Sequence, residues 1–581
     1  MASSALPPTG QPTAQYFLAP ATPAQRRYEA LRAYFVEDLT RAQAAARVGY
    51  TPATMASLVR DFRAGHLDFF GPRGPGRRRS PAKERARARI IELRQAGHSI
   101  VEISEALKNE GMALNHTGVW EVLTEEGFSR LSTRPFRERV LPRRAELPRA
   151  ELLDFAQLPE VCDTLAAGLF LAIPDLVTLD LPALVRAGRY PGTQVIPALS
   201  SVLSLLALKL VGMRRVSHVD DLAADPGAGL FAGLTALPKT TALTTYSYRL
   251  GHEHQRRFLR ALDTSMINAG MLTAEDAVFD LDFHTIMHWG RDPALEKHYV
   301  PTRSQRSRSV LTFFAQDSVT HNLVYANADL SKATQNREVI GFCDQWLAAS
   351  GHEPAMLVMD QKVTSHAVLA ELDARGISFL TLRMRSPALI AQINALPATA
   401  FTTIALDRPG RYRRPRVAEM PDVVISGYPG TVRQFVVTGL GRDAPTVIIT
   451  NDRETRAKRL IERYAHRMCI EQRLAEAIAG FHLDALAGAV NLNIDLDVTL
   501  TVLAAAACSA LRKRLPGYAG ATPDTIQRRF LETSGQIVNR GDHILVRLNR
   551  RTYSPVLRHA DLPADTTVPW WGGRHLRFEI I

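Results

Sequence analysis

The sequence predicts a multidomain α/β protein, and three observations point to this class. The length of 581 residues is several times that of an average domain. The apolar content of 46% and the charged content of 22% are ordinary for globular proteins and allow large cores. Along the chain, short helices with clear capping signals come first, a long helical stretch follows, and strands alternate with helices from about residue 277. This order predicts N-terminal helical modules followed by a mixed sheet flanked by helices.

The charge is distributed unevenly along the chain. Residues 1–150 hold 24 Lys and Arg against 15 Asp and Glu, whereas the remaining residues hold 47 against 43, for a net charge of +13. A basic segment on a nearly neutral body indicates a module that binds a polyanion. A solvated basic tail is the alternative, which the regular capping pattern of the same segment disfavours.

No pattern predicts secretion, a membrane span or a cysteine-based metal site. The four cysteines lie far apart without CxxC spacing, which indicates free thiols in a reducing compartment. The N-terminus shows no signal-peptide pattern. The most apolar window, 193–213, contains Pro, Ser and Lys209, so a buried helix is expected there. We therefore expect a cytoplasmic protein that does not enter a membrane.

A disordered tail is expected over 1–20, and a first helix-turn-helix unit over 21–66. Thr40 and Gln43 have the spacing of a capping box at the start of its second helix. Gly49 supplies the turn before the third helix, which enters the major groove in units of this kind. The residues expected on the outward face of that helix, and so the candidate DNA contacts, are Thr54, Ser57 and Arg60.

The same pattern returns over 80–131. Ser99 and Glu102 form a second capping box, and Asn115 caps the helix that follows. His116 and Thr117 begin this second recognition helix and are candidate DNA contacts. The residues of the same helix that we expect in its core are Val119, Trp120 and Val122.

An arginine-rich linker, 67–79, separates the two units, and its Gly and Pro residues keep it extended. A second extended basic segment covers 132–150. The linker arginines expected to face phosphate or the minor groove are Arg73, Arg77, Arg78 and Arg79. Two helical units that serve only protein contacts are the alternative. The order of trihelical unit, arginine-rich linker and trihelical unit resembles the bipartite DNA-binding region of many transposases, which implies double-stranded DNA as a partner.

Residues 151–272 are expected to be wholly helical, and the periodicity changes after them. "AVFDLDF" predicts a strand, "RSVLTFFAQDSVTHNLVYANADL" two strands, and "NREVIGFCDQWLAAS" an amphipathic helix. "AMLVMD", "SHAVLAELDARG" and "ISFLTLR" then predict a strand, a helix and a strand. The order β-β-β-α-β-α-β is that of the RNase H-like fold.

Three acidic residues lie near the ends of two predicted strands. Asp280 and Asp282 are both in the first strand, and Asp360 ends the fourth. The first and fourth strands are neighbours in this fold, so acids near their matched ends meet at one edge of the sheet. Residues two apart on a strand share a face, and only one of the first pair can be level with Asp360. We expect that residue to be Asp282, with Asp280 the alternative.

A helix predicted to begin at Asn451-Asp452 carries Tyr464, Arg467 and Glu471 on one narrow stripe, at 100° per residue. Tyr-x2-Arg-x3-Glu is the front of the Tyr-Arg-Glu-Lys signature of the DDE transposases of bacterial insertion sequences. With "DLDFHTIMHWG", "LVMDQK" and "VIITND" before the helix, the chain resembles that family over roughly 270–490.

The resemblance implies a catalytic core over 273–383 and 451–490, interrupted by a β-rich insertion over 384–450 as in the cut-and-paste branch. The Lys of the signature is Ile478 here, so its phosphate contact is vacant or supplied by a neighbour such as Arg473. A bacterial protein associated with the nucleoid is implied, acting on DNA as a homodimer or higher oligomer. Residues 491–581 are expected to form a buried helix and a strand pair with its turn at Gly541-Asp542.

The chemistry expected of the three acids is metal-dependent. Exchange of a phosphodiester needs stabilised charge on the attacking and the leaving oxygen, and two Mg²⁺ ions held by carboxylates supply it. We assign Asp282, Asp360 and Glu471 as catalytic residues and metal ligands, with Mn²⁺ as a substitute metal. Arg467 and Tyr464 are expected to hold the DNA backbone. Trp289 is a candidate for stacking on an unpaired base, with core packing as the alternative.

The predicted function is therefore transposition: hydrolysis at a transposon end and attack of the freed 3′-OH on target DNA. A regulator or domesticated transposase that binds DNA without cutting it is one alternative. A metal-dependent nuclease without strand transfer is another. A scaffold that uses its helical units for protein contacts is the third, disfavoured by the basic asymmetry.

Overall fold

The structure, a computed structural model, describes residues 23–67, 69, 81–126, 128, 147–287, 296–300, 305–363, 365–407, 413–441, 444–483 and 491–581. The chain divides into two units, Met1–Arg144 and Ala145–Ile581.

The first unit contains two groups of three helices, each with its own apolar core. Thr40 and Gln43 form the predicted capping box, and so do Ser99 and Glu102. Gly49 has a φ of +73°, the left-handed conformation that the turn requires. The helices are α1 (Pro23–Phe35), α2 (Arg41–Arg47), α3 (Pro52–Arg63), α4 (Pro81–Gln95), α5 (Ile100–Asn109) and α6 (His116–Glu125).

The second unit begins with a mainly helical region. One prediction for 151–272 is wrong, because β1 (Val161–Thr164) lies within it and pairs antiparallel with Gly535–Asn539. That partner is distant in sequence, and local periodicity gives no sign of such a pairing. The helices of this region are α7 (Ile173–Thr178), α8 (Leu181–Ala187), α9 (Ala198–Leu210), α10 (Pro226–Phe231), α11 (Thr240–Tyr246) and α12 (His252–Asn268).

A mixed sheet of ten described strands follows. Its first half is interleaved with two helices in the predicted order, apart from one additional short strand. The elements are β2 (Val278–Met287), β3 (Lys297–Val300), β4 (Gln305–Asp317), β5 (Leu323–Asn327), α13 (Glu338–Ser350), β6 (Met356–Met359), α14 (His366–Ala374) and β7 (Ser378–Leu382).

The strand order places β2 in the middle of these five main strands. It pairs antiparallel with β4, which pairs antiparallel with β5. On its other side it pairs parallel with β6, which pairs parallel with β7. The first and fourth strands of the alternation are therefore neighbours, as expected.

Residues 384–450 continue the same sheet instead of forming a sheet of their own. The last of their strands pairs antiparallel with β7, so the sheet extends outward from that edge. The elements are α15 (Pro387–Asn394), β8 (Phe401–Thr403), β9 (Arg416–Val424), β10 (Thr431–Thr438) and β11 (Thr446–Thr450).

The predicted long helix consists of two consecutive helices, α16 (Ala457–His466) and α17 (Met468–Phe481), which meet at Arg467. The prediction that it begins at Asn451-Asp452 is wrong. Asp452 instead accepts backbone hydrogen bonds from Glu454 and Thr455, at 2.9 and 2.8 Å, and closes a turn before the helix. A short acceptor side chain can form such a turn as well as cap a helix.

The C-terminal part contains one long buried helix, small helices and a second sheet. The strand pair turning at Gly541-Asp542 is confirmed, and it joins β1 in that sheet. The elements are α18 (Asn491–Arg514), α19 (Pro523–Ile526), β12 (Gly535–Asn539), β13 (His543–Leu548), α20 (Ser554–Arg558), β14 (Thr566–Thr567) and β15 (His575–Ile580).

Among the described residues, one helix is long and apolar enough to cross a membrane, and it belongs to α18. Of its most apolar window within residues 494–514, 83% is buried inside the structure, as is typical of the core helix of a folded domain. The helices Ala167–Thr178 and Leu181–Ala187 pass the same test only if they are counted together as one span despite the 64° bend between them. The predicted buried helix at 193–213 is confirmed by α9.

Candidate active site

The pairing of β2 with β6 ends one residue before Asp282 and Asp360. In this parallel register Asp280 is opposite Val358, and Leu281 is opposite Met359, the last residue of β6. Continuing the register by one residue places Asp360 opposite Asp282. The register therefore supports Asp282, and not Asp280, as the acid level with Asp360, since Asp280 is paired with Val358.

The side chains of β2 alternate between the two faces of the sheet. Phe279 and Leu281 belong to the core cluster that includes α13, whereas Val278 packs against the cluster that contains Leu460 of α16. Period-two alternation therefore directs Asp280 and Asp282 toward the side of α16.

The two acids of β2 differ in access to solvent. Asp280 is only 1% exposed, and its Oδ1 atom has no hydrogen-bond partner among the described residues. The Asp282 side chain is 20% exposed, and its Oδ1 accepts a hydrogen bond of 3.0 Å from the backbone N–H of Phe283. Asp282 is thus the acid of this pair that a solvated ion or a DNA phosphate can reach.

Glu471 is connected to Asp282 through Arg467. The guanidinium of Arg467 is buried, and its Nη1 lies 3.7 Å from Oδ1 of Asp282. Its Nη2 donates a hydrogen bond of 2.9 Å to Oε1 of Glu471, four residues along the chain. The same guanidinium lies 5.9 Å from the centre of the Tyr464 ring. The predicted stripe of Tyr464, Arg467 and Glu471 is confirmed, and it faces the acid on β2.

Electrostatic coupling extends to the third acid. Burial raises the pKa of Asp282 to about 6, Arg467 opposes this rise, and the negative charges of Glu471 and Asp360 add to it. Burial also raises the pKa of Tyr464 to about 12, with contributions from Asp360 and Glu471. Burial by itself would lower the pKa of Arg467, but Tyr464 and the three carboxylates raise it. Five side chains thus influence one another's charge at one edge of the sheet.

The donor set fits a hard divalent cation. As they stand, no three His, Cys, Asp or Glu side chains of the described residues are close enough to enclose an ion, and Arg467 separates Asp282 from Glu471. The negative charges of Glu471 and Asp360 add to the rise in the pKa of Asp282, and the positive charge of Arg467 opposes it. Carboxylate oxygens are the ligands that Mg²⁺ and Mn²⁺ prefer. Asp282, Asp360 and Glu471 are the residues that would hold such ions.

Ile478 does not bring a cation to the site, because it packs against the main apolar cluster. Arg473, considered as its substitute, forms an ion pair of 2.6 Å with Glu476. Arg463 is the cation that the sequence reasoning missed, and its charge acts on Asp280. Its spacing of four residues before Arg467 could have identified it, since such residues share a helix face.

The candidate DNA contacts on α3 and α6 lie on the surfaces of their helices. Thr54, Ser57 and Arg60 are exposed beside the buried Met55 and Val59. Arg60 forms an ion pair of 2.9 Å with the neighbouring Asp61.

On α6, His116 and Thr117 are exposed. The expectation that Trp120 lies in the core is wrong, since its side chain is 54% exposed, whereas Val119 and Val122 are buried as expected. At 100° per residue, Trp120 shares a face with His116 and Thr117. The five remaining candidates, Arg73, Arg77, Arg78, Arg79 and Trp289, lie outside the described residues.

No protein-family model matches this chain, and no curated protein resembles it in sequence.

Proposed function

We propose that the protein is a DNA transposase of the DDE type, with Asp282, Asp360 and Glu471 as its catalytic acids. The observation that carries the proposal is that Asp282 and Asp360 each follow directly the last paired residues of two adjacent parallel strands, with Glu471 joined to Asp282 through Arg467. The strand order β5-β4-β2-β6-β7 supports an RNase H-like core, in which acids on the first and fourth strands meet. Strands β8 to β11 correspond to the β-rich insertion between the second and third acid.

The reaction consists of two phosphoryl transfers. In the first, the oxygen of a water molecule bonds to the phosphorus at the transposon end, the bond to O3′ breaks, and a 3′-OH and a 5′-phosphate result. In the second, that 3′-OH bonds to a phosphorus of target DNA, and a 3′-OH of the target departs. Bound Mg²⁺ would stabilise the charge on the entering and leaving oxygens.

The residues of this chain hold and orient the DNA at the acids. Asp282 contributes the central carboxylate, and Asp360 and Glu471 each contribute one on either side. Arg467 donates a hydrogen bond to Glu471, and this holds its guanidinium beside the acids. Tyr464 lies against the same guanidinium and limits its movement.

The first unit supplies recognition of the transposon ends. Two trihelical groups each expose polar residues at the start of the third helix, the position that meets base edges in a helix-turn-helix. The basic surplus of residues 1–150 supports binding to the phosphate backbone. The protein acts in the bacterial cytoplasm at the nucleoid, as a dimer or higher oligomer on DNA.

A cleavage and joining assay tests the proposal. The full chain is incubated with Mg²⁺ and a duplex of the genomic sequence that flanks the reading frame. We expect nicks at a fixed position, and joining of pre-cleaved ends to a plasmid. Binding without nicks would instead identify a regulator, and nicks without joining a nuclease. Substituting Asp282, Asp360 or Glu471 by Asn or Gln should remove both reactions and leave binding intact.

A further inference from the structure

We propose that a row of arginines on α16, formed by Arg456, Arg459 and Arg463, is a binding track for the phosphate backbone of double-stranded DNA that leads to the acids. The inference deepens the proposed function, on which it rests. The three residues lie at the start of α16 and along it, directly before Arg467.

The row lies on one side of its helix. At 100° per residue, Arg459, Arg463 and Arg467 fall within about 80° of one another. Arg456 is the N-cap residue directly before the helix. Leu460 and Ile461, buried against the sheet, anchor the helix. Because the helix is packed on the sheet, the backbone positions of its arginines are fixed. A ligand that they bind is therefore held in a defined position relative to the sheet.

The charges of Arg456 and Arg459 are not used within the part of the chain that the structure describes. Arg456 and Arg459 are exposed, and within the described ranges neither has an ion-pair partner. Lys458 differs, because it contacts Asp407 at 2.9 Å and Glu462 at 3.8 Å. Among the described residues, Lys458 is therefore paired with acids, whereas its neighbours Arg456 and Arg459 are not.

The row reaches the acids at its other end. Arg463 is half-buried and lies four residues before Arg467, on the same side of the helix. Arg467 follows and contacts Asp282 and Glu471. A polyanion bound to Arg456 and Arg459 is therefore directed along the helix to the site of phosphoryl transfer.

The length of the row suits DNA. Arg456 and Arg463 are separated by about 10 Å along the helix axis at about 1.5 Å per residue. The phosphates of one DNA strand follow each other at about 3.4 Å along the duplex axis, so the row extends over about three of them. Arg side chains bind phosphate through paired N–H groups.

The salt dependence of DNA binding tests the track without requiring cleavage. The probe is a duplex of the genomic sequence that flanks the reading frame, and the full chain is titrated without divalent metal at several salt concentrations. The slope of log Kd against log salt changes by about 0.9 for each lost phosphate contact. The double variant Arg456→Ala/Arg459→Ala should lose nearly two such contacts. Lys458→Ala, on the same helix and already paired, should keep the wild-type slope.

A second measurement needs no variant. Neutral methylphosphonates replace the phosphates next to the expected cleavage position, and the slope for the wild-type chain should become shallower. The double variant should show no further change on the same neutral duplex. The track is wrong if the double variant keeps the wild-type slope on the normal duplex. It is also wrong if the neutral duplex changes the slope of the double variant as much as it changes that of the wild type. A wild-type chain that shows the expected slopes and never cuts DNA would contradict the proposed function and leave the track standing.

Discussion

Arg467 and Asp282 face each other where the helix pair α16 and α17 meets the central strand of the sheet, with Nη1 3.7 Å from Oδ1. The arginine is buried, and it is the cation shared by Asp282 and Glu471. Without a bound ion, the positive charge of Arg467 offsets the negative charges of Asp282 and Glu471. A bound divalent cation is expected to reduce the same repulsion between the carboxylates.

Replacing Arg467 by Ala should destabilise the metal-free protein at pH 8. Removal of one partner of a buried ion pair costs about 3 kcal/mol, because the remaining charge is left without compensation. The free energy of unfolding in urea measures this loss. At pH 5 the loss should be smaller, since Asp282, whose pKa burial raises to about 6, is then largely protonated.

Arg540→Ala is the matched control for that experiment. Arg540 also contacts an acid, Glu160, at 3.2 Å, but its side chain is 47% exposed. Pairs of this kind contribute about 1 kcal/mol or less. An equal loss at pH 5 and pH 8 for the Arg467 variant would contradict the assignment of its charge to Asp282.

Asp280→Asn should stabilise the metal-free protein at high pH. Burial raises the pKa of Asp280 to about 6, with Arg463 and Arg467 opposing the rise and Asp317 adding to it. Because this folded-state pKa lies above the unfolded value, the native state loses stability as the pH rises toward 6, and the loss is complete above that. The variant lacks this loss, so its Tm should exceed that of the wild type at pH 8. The two should converge toward pH 4. A difference in Tm that does not depend on pH would contradict the buried, titrating carboxyl.

Mg²⁺ or Mn²⁺ should raise the Tm of the wild-type protein, because a ligand that binds only the folded state stabilises it. At a concentration of about one hundred times Kd the gain is about 2.7 kcal/mol. The gain should shrink below pH 6, because a proton then occupies the Asp282 carboxylate and competes with the ion. Asp282→Asn should abolish the effect, whereas Asp422→Asn, on an exposed residue of β9, should keep it. An undiminished shift in the Asp282 variant would place the metal elsewhere.

Trp120→Ala should weaken binding to the flanking duplex and leave the salt slope unchanged. An exposed apolar side chain on a recognition helix contacts base edges such as the thymine methyl and does not replace a counterion. The loss expected for one base contact is about 1–3 kcal/mol, measured as Kd by fluorescence anisotropy. Glu105→Ala, on the neighbouring helix α5, is the control. A changed slope would indicate that Trp120 acts through the fold of the unit.

Elements set by local patterns could be predicted from the sequence. The capping boxes at Thr40 and Ser99, the alternation of β2 and the stripe that holds Arg467 and Glu471 each depend on residues a few positions apart. The choice of Asp282 as the acid closer in register to Asp360 agrees with the structure, but its reason was wrong, because β2 continues past Asp282 to Met287 and it is the pairing with β6 that ends there.

The features that the sequence did not reveal depend on distant contacts or on side-chain exposure. β1 is a strand because β12 offers it a partner, not because of its own four residues. The helix that carries Glu471 is interrupted at Arg467, where the guanidinium turns to Asp282 on the sheet. Trp120 has an apolar side chain that composition assigns to the core, and only the packing of α6 shows that it lies outside.

Cleavage of the flanking duplex by Asp282→Asn and Asp280→Asn, in parallel and with Mg²⁺, tests the central claim most directly. The account predicts that Asp282→Asn loses cleavage by about a thousandfold or more, as expected when several kcal/mol of charge stabilisation are removed. It predicts that Asp280→Asn still cuts, and that both variants bind DNA like the wild type. Cleavage by the Asp282 variant together with loss of cleavage in the Asp280 variant would contradict the account.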